Sequence, residues 1–111
     1  MLWVSSFDGG VREEIEAVID TGFTGHLCLP PEVADRLRLP MRGSSRYRLA
    51  DGGVAALRVR RALVVWHGRP RRVPVVETGG EPLVGMALLR GSELRIRVSG
   101  GGEVLVEELV G

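Results

Sequence analysis

The sequence predicts an all-β domain, because short apolar runs alternate with turn signals for almost its whole length. Asp8-Gly9-Gly10, Asp51-Gly52-Gly53, His67-Gly68-Arg69-Pro70, Thr78-Gly79-Gly80-Glu81-Pro82 and Ser99-Gly100-Gly101-Gly102 all fall between such runs. Glycine supplies the positive backbone angles that tight turns need. Five breaks imply about six or more strands in a small sheet or barrel. At 111 residues the chain has the size of one domain, spanning 1–111, with a real core but no room for a second.

Taken in order, the segment from Val11 to Ile19 is ambiguous. Val11, Ile15, Val18 and Ile19 fit a helix, whereas Val11, Ile15, Ala17 and Ile19 fit one face of a strand. Pro31-Glu32-Val33-Ala34-Asp35-Arg36-Leu37 is the best helix, with proline in the first turn and acids near its start. Val64, Val65 and Trp66 before one turn and Val73, Val75 and Val76 after it make a β-hairpin with β-branched filling. Met86 to Arg90, closed by Gly91, is a second short helical turn. Glu93 to Val98 and Glu103 to Leu109 form a last hairpin.

Composition narrows the function classes. The chain is 44% hydrophobic and 26% charged, as in a globular protein, and its formal net charge is +1, so no global field favours nucleic acid or a membrane surface. Every basic residue is arginine, and Arg58, Arg60, Arg61, Arg69, Arg71 and Arg72 gather around one hairpin. Aromatic residues make up 5% of the chain and none interleaves with these arginines, so a nucleic-acid platform is not expected. Cys28 is the single cysteine, read as an inert core thiol, which rules out an internal disulfide. His26 and His67 lie far apart, and no serine sits in a Gly-x-Ser-x-Gly setting, so neither a metal site nor a triad can be argued and no cofactor is expected. No apolar run approaches membrane-spanning length, and a cytoplasmic location is the default expectation.

Chemistry concentrates at Asp20. It ends the apolar run Ala17-Val18-Ile19 and is followed by Thr21-Gly22-Phe23. A carboxylate at the end of a buried strand is costly unless hydrogen-bonded, and Gly22 permits a turn that aims backbone donors at it. Late in the chain stands Leu83-Val84-Gly85-Met86-Ala87-Leu88-Leu89, two apolar residues, a glycine and a short apolar helix.

Together these two elements resemble the retropepsin-like aspartic peptidases, in which a strand ending in Asp-Thr-Gly lies beside a late apolar-apolar-glycine segment followed by a helix. The small bacterial single-domain members are the nearer likeness, through Asp20 to Phe23 and Leu29-Pro30-Pro31. The resemblance runs from about Val11 to Val98. It implies a closed β-barrel or sheet domain with one or two short helices, assembling as a two-fold dimer, and it makes Val11 to Ile19 a strand. It implies that Asp20, Thr21 and Gly22 form the catalytic motif. It also makes Asp51-Gly52-Gly53 the tip of a hairpin flap with arms Arg46 to Ala50 and Val54 to Val59. Substrate would then meet Phe23, Ala50, Asp51, Gly52, Gly53, Val84 and Gly85. Viral members have a small residue and then aspartate after the motif, where this chain has Phe23 and Thr24, and many have arginine after the late glycine, where it has Met86.

Asp-Thr-Gly occurs once, so one chain supplies one carboxylate. Two copies must meet about an axis for a pair of carboxylates to share a proton and activate water. The expected function is thus an aspartic endopeptidase, homodimeric, acting on peptide or protein. A non-catalytic dimeric module binding peptide or protein on the same fold is the competing class.

Overall fold

The structure is a computed structural model and describes residues 2–6, 10–48 and 51–109. Strands dominate it: β1 (Leu2–Ser5), β2 (Arg12–Ile15), β3 (Val18–Ile19), β4 (Leu27–Leu29), β5 (Met41–Arg48), β6 (Val54–Trp66), β7 (Arg69–Glu77), β8 (Leu83–Val84), β9 (Ser92–Ile96) and β10 (Val104–Glu108). Helix α1 (Pro31–Arg36) follows β4 and helix α2 (Met86–Leu89) follows β8. Eight strands make one sheet in the order β2-β1-β6-β7-β4-β8-β3, with β5 added to β6, while β9 and β10 form a separate two-stranded sheet.

Connectivity curls the large sheet. Its terminal strands β2 and β3 are consecutive in the chain, separated by Glu16 and Ala17 alone. Ile15 and Val18 therefore lie within about 11 Å of each other, and the sheet bends into a half-barrel. The segment from Val11 to Ile19 is accordingly not one continuous strand. Its first part pairs with β1 (Leu2↔Ile15) and its second, parallel, with β8 (Ile19↔Val84), the chain changing partners at the break. The alternation survives the break, because Ile15, Ala17 and Ile19 all face the core.

That core fills the curl. Leu2 and Val4 of β1, Leu27 and Leu29 of β4, Ala62 and Val64 of β6, and Val73 and Val75 of β7 alternate inward, and Ala34 of α1, Leu37 just after it, and Leu88 and Leu89 of α2 close over them. Pro30 caps α1 and Pro31 opens it, where a missing N–H costs nothing.

Strand β6 has two halves. From Val59 onward it lies between neighbours and its inward residues are buried, while from Val54 to Arg58 it pairs with β5 and is largely exposed. The hairpin β5–β6 thus projects from the body. The turn joining β6 to β7 is His67-Gly68, with φ of 52° and 77° and Trp66 opposite Arg69, the mirror-image turn that matches strand twist. His67 Nε2 lies 2.8 Å from Ser92 Oγ, tying this turn to β9.

Arg60, one of the arginines that gather around the β6–β7 hairpin, is buried. Its guanidinium meets Asp35 at 2.6 Å and Glu77 at 3.3 Å and donates to the Leu39 carbonyl at 3.0 Å. Burial works to lower the Arg60 pKa, but the two carboxylates outweigh it and hold the group charged.

Among the described residues no helix is long and apolar enough to cross a membrane.

Candidate active site

Two segments distant in sequence build the Asp20 site. Strand β3 is held parallel to β8, and the ladder continues into the loop, where Asp20 N–H donates to the Val84 carbonyl at 2.9 Å. The chain then turns, with Phe23 N–H donating to the Asp20 carbonyl at 3.1 Å, and Gly22 N–H donates to Asp20 Oδ1 at 2.9 Å. One carboxylate oxygen is thereby fixed by the backbone of its own motif. Among the described residues Asp20 Oδ2 accepts no hydrogen bond from the chain.

The late glycine segment locks onto this loop. Gly85 N–H donates to the His26 carbonyl at 3.0 Å, Met86 N–H to the Phe23 carbonyl at 2.8 Å, and Ala87 N–H to the Gly25 carbonyl at 3.0 Å. Three successive amides thus satisfy the loop that carries Asp20. The approach is so close that a Cβ at Gly85 would collide with the Gly25 carbonyl and the Phe23 ring. Gly85 is required for contact between backbones, since its φ belongs to the extended region, −105°.

Of the residues expected at the site, Asp20, Gly22, Phe23, Val84 and Gly85 are brought together by these bonds. Phe23 is half-buried, its ring against Gly25 and Gly85, so it packs the loop. Asp20 is half-buried, while Thr21 and Gly22 are exposed, so the motif lies open on one surface. Asp51, Gly52 and Gly53 form the tip of the projecting hairpin, with Gly53 N–H donating to Asp51 Oδ1 at 2.8 Å and Gly52 at φ 87°. A Cβ at Gly52 would meet nothing within 4 Å, so the tip stands in open space, and among the described residues no hydrogen bond joins it to the Asp20 loop. Ala50 lies outside the described residues.

Burial is the main reason the Cys28 thiol is pushed up to about 11, with the Asp20 charge adding to it and a Thr78 hydrogen bond opposing it. His26, whose carbonyl receives Gly85, is held below its ordinary value by burial and then by Arg71 and Arg90. Neither partner could be read from the sequence, because Thr78 and Arg71 are brought to these groups only by the fold. Among the described residues no cluster of histidine, cysteine or carboxylates is placed to hold a metal ion. Compared with known proteins, the chain matches no family model, no curated protein and no solved structure.

Proposed function

We propose that the chain is one half of a homodimeric aspartic endopeptidase in which two Asp20 carboxylates, one from each subunit, activate a water molecule for peptide hydrolysis. The observation that carries this reading is the Asp20 loop itself: a carboxylate at a strand end, one oxygen held by Gly22 N–H and the other without a hydrogen bond among the described residues, in a loop clamped by the amides of Gly85, Met86 and Ala87. Such a clamp fixes where the carboxylate stands, which positions it for general acid–base work. Two carboxylates brought close share one proton, so one acts as base on water while the other polarises the carbonyl. The projecting hairpin β5–β6 supplies an arm able to close over an extended peptide, and the exposed face of the motif is open to a second subunit.

Strand β9 offers a self-complementary edge for that second subunit. Among the described residues it pairs only with β10, and the bonds Arg97 N–H to Glu103 O and Leu109 N–H to Gly91 O show that its odd-numbered residues turn their amides toward β10. Ser92, Leu94 and Ile96 therefore present theirs outward. Antiparallel pairing of two β9 edges about Leu94 sets Glu93 opposite Arg95 of the other copy, twice. Centring on Glu93 or Arg95 instead would oppose like charges, so one register is favoured. The same pairing would cover part of the apolar surface left at Ile96, which is 56% exposed.

Cleavage of a peptide library by purified wild type and Asp20→Asn tests the function. Hydrolysis lost in a folded Asp20→Asn protein supports it. Peptide binding without cleavage by the wild type would replace it with a non-catalytic binding module.

A further inference from the structure

We propose that the cavity where the half-barrel meets the β9–β10 hairpin binds one uncharged small molecule, with an apolar body and an oxygen that accepts a hydrogen bond from Trp66. The cavity measures about 370 Å³, within the range of small-molecule sites. Seven aliphatic residues line it together with Trp66 and His67. Leu2 and Val84 among them are buried, Ala17, Ile19 and Val106 are half-buried, and Val104 is exposed, so the cavity runs from the core to the surface.

Trp66 is the last residue of β6, where it continues the inward alternation of Ala62 and Val64 and packs against the core. Its Nε1–H is buried and has no acceptor among the described residues. Buried donors are ordinarily paired, because an unpaired one has given up water for nothing. The aliphatic walls offer no side-chain acceptor, and His67 Nε2 already lies 2.8 Å from Ser92 Oγ. An occupant with an oxygen would supply the missing partner. Among the described residues no arginine or carboxylate lines the cavity, so a charged molecule would lose its hydration there without a counter-charge. An uncharged one is therefore favoured.

Entry has a physical route. Strands β9 and β10 pair with each other and, among the described residues, not with the large sheet, so the wall carrying Val104 and Val106 can part from the body without breaking a ladder of that sheet. The cavity also shares two strands with the Asp20 loop, since Ile19 and Val84 pair with each other and directly precede Asp20 and Gly85. Binding here nonetheless requires nothing of Asp20.

Titration calorimetry of the full chain with octanol, an uncharged apolar molecule with one oxygen, tests the site. One molecule bound saturably per chain is expected. Trp3→Phe leaves Trp66 as the single tryptophan, and its emission should shift along the same isotherm with affinity within about twofold of wild type, because Trp3 does not line the cavity. Trp66→Phe keeps a ring but removes the donor and should weaken binding roughly threefold to tenfold. Ala17→Phe fills the cavity and should weaken it roughly tenfold or more. Asp20→Asn should bind octanol within about twofold of wild type, and octanoate, the same body carrying a charge, should bind at least about tenfold more weakly than octanol. No saturable octanol binding, unchanged affinity in Trp66→Phe or in the filled cavity, or tighter binding of octanoate overturns the proposal. Circular dichroism checks that each variant is folded, and should Ala17→Phe fail to fold, Val104→Phe at the exposed rim takes its place.

Discussion

At Gly85 a single methyl group has nowhere to go, because the Gly25 carbonyl and the Phe23 ring already occupy its place. Gly85→Ala should therefore cost at least about 2 kcal/mol and loosen the Asp20 loop, since backbone atoms must shift to admit it. Thermal melts check the first effect, and cleavage assays at a temperature where the variant is folded check the second. A variant as stable as wild type would contradict the close approach. His26 gives a pH effect with a definite sign. Burial, then Arg71 and Arg90, hold its folded pKa below the ordinary 6.5, so the unfolded chain takes up the proton first as pH falls through that range. Stability should then decline as pH drops below about 6.5, and His26→Gln should flatten that decline, as urea melts at about pH 7.5 and about pH 5.5 would show. The pieces of the site loop were legible because Asp20 to Phe23 and Val84-Gly85 are short contiguous motifs. Arg60 was not, since its partners Asp35 and Glu77 lie 25 and 17 residues away and only sheet pairing brings them near.

Among the elements, those with a local signal were found and those defined by partners were not. Proline at the start of α1 and Gly91 at φ 84° after α2 mark both helices near their observed ends. The break between β2 and β3 left no mark, because Ile15, Ala17 and Ile19 keep the period of two across it. What changes there is the neighbouring strand, which a one-dimensional pattern does not encode. The β9–β10 hairpin makes its own prediction. Arg95→Glu should weaken self-association by about tenfold, because each Glu93 would then face a carboxylate of the other copy, twice per dimer. Combining Glu93→Arg with Arg95→Glu should restore much of it, the charges being exchanged in register. Sedimentation velocity across a concentration series measures this. Equal association by wild type and the single variant would remove β9 from the interface.

For the whole molecule, composition and turn spacing were enough to imply an all-β chain, and the half-barrel agrees. The sequence left sheet and barrel both open, since the curl depends on β2 and β3 standing at opposite ends of the strand order yet two residues apart in sequence. That same curl delivers β3 beside β8, and so Asp20 beside Gly85. One chain thereby positions one carboxylate, and the central claim is that a working site needs two. Mixing wild type with Asp20→Asn under conditions that allow subunits to exchange tests this most directly. With random pairing, cleavage per total chain should follow the square of the wild-type fraction and fall to about one quarter at equal amounts, because mixed dimers hold one carboxylate. A linear fall, to about one half at equal amounts, would contradict the account by placing a complete site on every chain.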